Sequence, residues 1–229
     1  MNELTIKPIA YIRTDFSQKF GIPRQSGRVP SLRGRIVFEP EYRNKEALRG
    51  IEGFSHLWLI FDFSLSHREG WSPTVRPPRL GGNKRVGVFA TRSPFRPNPL
   101  GLSCVELISV ESDGENGDIL IVGGADLVDM TPIYDIKPYL PYSDSKTNAT
   151  SGFAENEVHY LLEVVYDEEV LSVIPQEKRQ ALIDCLADDP RPSYQDDKDR
   201  IYNMSFAGYD VSFKVDNNIL TVVGVKTLC

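Results

Sequence analysis

Short apolar runs held apart by long stretches rich in proline and glycine restrict the folds open to this chain, which has 16 prolines and 17 glycines in 229 residues. Proline fixes φ and lacks an N–H, so it interrupts helices and interior strands. The runs at 4–14 (LTIKPIAYIRT), 35–39, 55–64 (SHLWLIFDFS), 86–90, 102–109 and 119–123 are rich in β-branched and aromatic residues and are predicted as strands. The 55–64 run is apolar on both faces, which marks a central strand. One or two helical turns are expected over 42–49. Loops rather than helices join these strands, which favours a barrel over a doubly wound sheet. The expected fold is therefore β-rich: an N-terminal β-barrel domain over 1–145 and a smaller α+β domain over 146–229. The small polar run 146–152 is the linker. In the second domain 158–166, 201–215 and 219–226 read as strands, with a hairpin turn at Asp216-Asn217-Asn218. The run QEKRQALIDCLA at 176–187 has helical apolar spacing and stops before Asp189-Pro190.

Apolar residues make up 41% of the chain and charged residues 25%, so a packed core is expected and disorder is not. No stretch approaches the roughly 18 apolar residues of a membrane span, and the N-terminal residues lack the long apolar segment of a signal peptide. A cytoplasmic protein with no membrane partner is expected. The cysteines, Cys104, Cys185 and Cys229, are odd in number and widely spaced, which suggests neither a disulfide framework nor a zinc site. Cys104 and His56 lie in apolar runs and are expected in the core. His67 sits beside Arg68 in a loop, and His159 begins an acidic-flanked strand. No pair of histidines has metal-ligand spacing, so no metal is expected. The G-x-G-x-x-G fingerprint, the P-loop and the G-x-S-x-G elbow are all missing from the sequence.

The net charge of −6 argues against nucleic acid as a partner, but its distribution argues for it. Between Phe63 and Val105 seven basic residues (Arg68, Arg76, Arg79, Lys84, Arg85, Arg92, Arg96) face one acid, Glu69. From Glu111 to Arg200 acids outnumber bases 21 to 7. An acidic protein with a local positive face and an ordinary mixed surface are both compatible with this segregation.

Three stiffened segments carry the candidate chemistry. In ATRSPFRPNPLGLS (90–103), prolines 94, 97 and 99 preset the backbone, while Arg92 and Arg96 offer planar donor forks suited to carboxylate or phosphate. This is either a preformed ligand cradle or a structural loop with solvated arginines. The segment DMTPIYDIKPYLPYSDS (129–145) reads as a second proline-rich loop. Its Asp129, Asp135 and Asp144, its Lys137 and its tyrosines 134, 139 and 142 form either a grip for ribose and adenine or a well-capped surface loop. Asp135 with Lys137 is equally readable as a surface ion pair of little worth. The third segment, GIPRQSGRVP (21–30), places Arg24, Gln25 and Arg28 between prolines.

These motifs, together with SHLWLIF at 55–61, DPRPSY at 189–194 and FAGYDVSF at 206–213, resemble the TrmO-type tRNA methyltransferases, also called the TsaA-like or YaeB-like family. The resemblance implies a barrel that binds S-adenosylmethionine without a Rossmann-like sheet. It implies methylation of N6 of threonylcarbamoyladenosine beside the anticodon of threonine tRNA. It also implies a homodimer with the cofactor near its interface. Carried over to this chain, the cofactor is expected against Pro23, Arg24, Gln25, Ser64, Leu65, Arg92, Leu102, Asp129, Thr131, Pro132 and Asp135. The tRNA is expected against Arg76, Arg79, Lys84, Arg85, Arg96, Lys137 and Tyr142. Asp135 or Tyr139 is the expected proton acceptor. Two other readings remain: a non-catalytic module that binds S-adenosylmethionine or a nucleotide, and a methyltransferase acting on a small molecule.

Overall fold

A computed structural model describes residues 3–77, 80, 83–154, 160–192, 195 and 197–228. Among the described residues the first part of the chain contains eight strands: β1 (Ala10–Arg13), β2 (Arg33–Phe38), β3 (His56–Asp62), β4 (Thr74–Val75), β5 (Val86–Gly87), β6 (Leu100–Asp113), β7 (Gly117–Gly123) and β8 (Thr131–Pro138). Six of them close into a ring in the order β1-β2-β7-β6-β3-β8, all pairs antiparallel, with β1 bonded to both β2 and β8. Closure leaves no sheet edge exposed. Alternate residues point inward, and Ile12, Ile36, Leu57, Leu59, Leu120, Val122 and Ile133 are fully buried there.

The central strand predicted at 55–64 is β3, paired on one side with β6 and on the other with β8. Three short 3₁₀ turns (Pro40–Tyr42, Lys45–Leu48, Ile51–Gly53) occupy the expected helical segment.

Several expectations are corrected. The strand expected over 4–14 is limited to Ala10–Arg13, because β2 stops at Phe38, opposite Ala10, and β8 leaves β1 for β3 beyond Ile133, whose carbonyl accepts the last sheet bond from Ile9 N. The expected 129–145 loop contains β8. Its Thr131 and Ile133 are buried in alternation, Pro132 sits near its start and Pro138 at its end, and a bulge at Tyr134 lets it switch from β1 to β3. After it the short helix α1 (Pro141–Asp144) is pinned by Asp144, which accepts hydrogen bonds from Leu140 N and Trp58 Nε1. The strand expected over 86–90 ends at Gly87. Val88 turns its side chain into the interior, and Val88–Ala90 forms a 3₁₀ turn closed by Thr91 on the Val88 carbonyl. His56 is not a core residue; it is exposed on the barrel's outer face beside Ser55 Oγ and the Tyr139 ring. Cys104 is half-buried on the same face, and burial pushes its thiol up. Arg79, His159 and Cys229 lie outside the described residues.

The second part contains β9 (Glu163–Val165), α2 (Glu168–Leu171), α3 (Gln176–Ala187), β10 (Tyr202–Phe206), β11 (Tyr209–Asp216) and β12 (Ile219–Thr227). The sheet order is β10-β11-β12-β9, with β9 parallel to β12. The single strand expected over 201–215 is two, because Ala207-Gly208, both at positive φ, turn the chain back as a tight hairpin. The predicted turn at 216–218 and the predicted helix at 176–187 are both present. Leu182 and Leu186 of α3 pack with Met204, Phe206 and Phe213 in a second core. Phe16, Val29 and Leu32, from the connection between β1 and β2, are buried in this second core rather than in the barrel.

Gly101 lies in β6 opposite Phe61, and a Cβ there would sit 2.2 Å from the Phe61 ring. Gly101→Ala is expected to destabilise the protein by about 1–3 kcal/mol through overpacking. Phe61→Leu in the same chain should recover part of that loss, read as the urea midpoint at unchanged m.

Candidate active site

Five stretches converge on an open cleft of about 1990 Å³: residues 19–28, 66–77 with Arg85, 89–99, 150–154, and the turn 188–192. The 89–99 wall is rigid for more reasons than its prolines. Thr91 Oγ1 accepts from Ser93 N, Ser93 Oγ accepts from Phe95 N, and Arg96 Nη1 donates to the carbonyls of Thr91 (3.0 Å) and Ser93 (3.2 Å). Arg68 lays its guanidinium 3.6 Å from the centre of the Phe95 ring. Arg92 is left exposed, and its Nη1 donates to Gln25 Oε1.

Gln25 belongs to the opposite wall. Its Nε2 donates to the Arg24 carbonyl, while Arg24 Nη2 donates to the Arg191 carbonyl at 2.8 Å. Arg28 forms an ion pair with Asp188, whose side chain is 4% exposed. The 188–192 turn is itself braced by a buried pair, Arg191 with Asp189, and by Tyr160 Oη donating to Asp189 Oδ2. Burial alone would raise the Asp189 carboxyl, but the Arg191 hydrogen bonds and charge outweigh it and hold the group below its ordinary value.

Of the residues singled out in the sequence, Pro23, Arg24, Gln25, Arg76, Arg85, Arg92 and Arg96 line this cleft. Ser64 and Leu65 lie in the 3₁₀ turn after β3, and the Leu65 carbonyl accepts from Lys19 Nζ at the cleft edge. Lys84 is exposed nearby in sequence. Leu102 and Asp135 are elsewhere: both pair with Ile60 across the outer face of the barrel, where Lys137 stands opposite Trp58. Asp135 forms an ion pair with Lys137 at 2.7 Å. Tyr139 meets His56 edge-on and Trp58 at a tilt on this face, and Tyr142 is 85% exposed in α1. Asp129 accepts from Arg13 Nε and Thr14 N, Thr131 is buried with its hydroxyl on the Val128 carbonyl, and Pro132 is opposite Tyr11 in the ladder.

Asp126 was missed in the sequence. It accepts a 2.6 Å hydrogen bond from Ser103 Oγ, and the backbone of Ser26 also bonds to it. Burial pushes its carboxyl up, opposed by those hydrogen bonds and by the nearby Arg92 charge. It therefore ties β6, the 23–28 loop and Arg92 together. The signal that could have found it is a lone carboxylate just past the Gly123-Gly124 end of an apolar strand.

Among the described residues no group of histidine, cysteine and carboxylate side chains is arranged to hold a metal ion, and no helix is long and apolar enough to cross a membrane. Fold and cleft together define a β-barrel protein whose main cleft is made by barrel loops and completed by a turn of the C-terminal part. The profile described as the tRNA-methyltransferase O N-terminal domain matches residues 11–145, and the TrmO C-terminal domain matches 159–228. The chain is 41% identical to the tRNA (adenine(37)-N6)-methyltransferase of Escherichia coli K12 over 94% of both chains. It is 46% identical to the Eikenella corrodens enzyme of the same name, over 76% of this chain and 98% of that one. A crystal structure of TrmO from Pseudomonas aeruginosa superposes with a TM-score of 0.79 at 32% identity, covering 98% of this chain and 100% of that one. The chain belongs to the tRNA-methyltransferase O family.

The raised Asp126 carboxyl has a stability consequence of fixed sign. A carboxyl raised in the folded state favours folding only while protonated, and that contribution is lost as pH rises through its folded value. Asp126→Asn, which keeps an acceptor for Ser103, is therefore expected to melt higher than wild type at pH 7. The difference should shrink as pH falls through the raised folded value and be gone below about 4, where an ordinary aspartate is protonated in both states. Melting curves at several pH values check this.

Proposed function

We propose that this protein transfers a methyl group from S-adenosylmethionine to N6 of the adenosine beside the anticodon of tRNA. The observation that carries the reading is the cleft, which joins the Arg92–Gln25 contact to a wall carrying Arg68, Arg76, Arg85 and Arg96. A small methyl acceptor has no use for such an extended cationic wall, whereas an RNA backbone does. The similarity to the E. coli enzyme over 94% of both chains supports the same activity here.

The residues fit the cofactor. The methionine end of S-adenosylmethionine is a zwitterion, and the exposed Arg92 guanidinium of the cleft lies near a half-buried carboxylate, Asp126, that feels its charge. Arg92 would take the carboxylate and Asp126 would face the ammonium, with Pro23, Arg24 and Gln25 forming the loop over them. When bound, the cofactor supplies a methyl already activated as a sulfonium, whose C–S bonding pair returns to sulfur as the new C–N bond forms. The protein's work is then positioning and proton removal. In-line placement of N6 by the rigid 89–99 wall supplies much of the acceleration. The N6 proton passes to a protein acceptor, which we assign to the half-exposed carboxylate of Asp135, with Tyr139 as the other candidate on the same outer face.

The finer parts of this reading follow together. The barrel loops replace a Rossmann-like sheet as the cofactor site. The acceptor is threonylcarbamoyladenosine of threonine tRNA, and the protein works in the cytoplasm. The barrel domain spans 1–145 and the smaller one 146–229. The protein is a homodimer, paired through the outer face where Leu100, Leu102 and Met130 are exposed, so that Asp135 and Leu102 of one subunit approach the cofactor of the other.

The test is methyl transfer from labelled S-adenosylmethionine to tRNA from cells lacking this protein, with mass spectrometry of the nucleosides. Tight cofactor binding without transfer would identify a binding module instead. Arg92→Lys keeps the charge but loses the fork, so KM for S-adenosylmethionine is expected to rise about tenfold, equivalent to about 1.4 kcal/mol. Asp135→Asn is expected to lower kcat by about 100-fold, the low end for a general base, at unchanged KM for the cofactor; normal turnover would remove Asp135 from the role.

A further inference from the structure

The cleft wall carries an aromatic pair that the cofactor site does not use. Trp71 precedes β4 and Phe89 follows β5, and the two-stranded ribbon, with Thr74 opposite Gly87 and Val75 opposite Val86, brings them together. Their ring centroids are 6.2 Å apart and the planes are inclined by 33°. Both rings line the cleft, yet they are 53% and 73% exposed. Large rings left this open lose the benefit of burial, so their position needs an occupant.

Charge identifies the occupant. Arg76 and Arg85 line the same wall, Arg85 is held by Thr74 Oγ1 at 2.8 Å, and Arg68, with its guanidinium over the Phe95 ring, lines the cleft as well. Aromatic faces interleaved with cations match a single-stranded nucleic acid, whose bases stack while its phosphates pair. We propose that Trp71 and Phe89 form a stacking platform for an unpaired base of the tRNA anticodon loop next to the methylated adenosine, with Arg85 on an adjacent phosphate. The platform holds the loop open so that the target base can leave its stack and reach the cofactor. This proposal rests on the tRNA methyltransferase reading above.

The chain has two tryptophans, so Trp58→Phe leaves Trp71 as the sole indole reporter. In that background, adding tRNA from cells lacking this protein should quench the Trp71 emission, because an indole in direct stacking contact is quenched. Trp71→Ala and Phe89→Ala, made separately in the wild-type chain, should each raise KM for tRNA about tenfold, at unchanged KM for S-adenosylmethionine and unchanged melting temperature. The slope of log affinity against log salt should stay at the wild-type value in both. Arg85→Ala should make that slope shallower by about 0.7. Trp71→Phe should recover most of the affinity lost in Trp71→Ala.

A Trp71→Ala, Phe89→Ala double variant with wild-type KM for tRNA would overturn the proposal. So would a double variant that sediments as a smaller species than wild type, since the rings would then belong to a contact between copies of the chain. If the wild-type protein transfers no methyl to tRNA, the underlying reading fails and the platform fails with it. Intact transfer with insensitive rings sinks only the platform.

Discussion

The connection between β1 and β2 belongs to two cores at once, and the site depends on that. Its ends are barrel strands, but Phe16, Val29 and Leu32 are 1%, 2% and 3% exposed within the C-terminal cluster, with Phe20 and Ile22 packed against it. Each such side chain contributes roughly 1.5–3 kcal/mol on burial, more than a free surface loop can draw on to hold one conformation. Gly21 shows how close the contact is. It lies at φ +93°, and a Cβ there would sit 2.2 Å from Met204 Sδ. Arg28 on Asp188 and Arg24 on the Arg191 carbonyl then fix the loop's exposed half. Gln25 is thereby aimed at Arg92 across the cleft. The C-terminal unit is thus a structural part of the cleft, because the loop that forms this wall packs into its core.

The same contacts explain how a chain of net charge −6 keeps a basic cleft. Charges separated by more than the Debye length, about 8 Å at physiological ionic strength, hardly act on one another through water. What matters is which cations are neutralised close by. Arg28 is matched by Asp188 and Arg191 by Asp189. Arg68, Arg76, Arg85, Arg92 and Arg96 have no ion-pair partner among the described residues. Acids elsewhere keep the molecule as a whole negative and leave the field at the cleft positive. The whole-chain charge was therefore a poor guide to the partner, and its segregation along the sequence was the better one.

The elements that could be read from sequence are those whose pattern is local. The apolar run of β3, the 3.6-residue spacing of α3 and the turn at Asn217, with φ at +52°, each carry their signal within a few residues. The failures share a cause in tertiary contact. Strand β8 hides behind three prolines because its partners β1 and β3 are about 70 to 130 residues away, and only they select its alternation. Leu4 to Pro8 look like strand but have nothing to pair with. His56 was assigned inward because a run apolar on both faces does not say which face is the core. Asp126 carries only a faint local signal, its place just past Gly123-Gly124, since its surroundings come from Ser26, Arg92 and Ser103 on three separate segments. Proline-stiffened loops mark the cleft wall but do not say which outward residues share a face: Arg92 lines the cleft, whereas Asp135 and Leu102 sit on the barrel's outer face.

The segment ATRSPFRPNPLGLS can now be divided by task. Thr91 and Ser93 close the turns, and Arg96 staples the loop to its own carbonyls. Phe95 seats Arg68, Gly101 makes room for the Phe61 ring, and Ser103 holds Asp126. The prolines reduce the entropy that these bonds must overcome. The two arginines that looked equivalent in sequence are therefore not equivalent. Arg96 works on the loop itself, whereas Arg92 is presented outward by it. An arginine side chain carries large rotamer entropy, so its binding contribution depends on how much of that entropy is removed beforehand. Gln25 does this for Arg92, and Gln25 is itself held by the loop that the second core clamps. The outward presentation of Arg92 thus depends on the structural bonds within the loop.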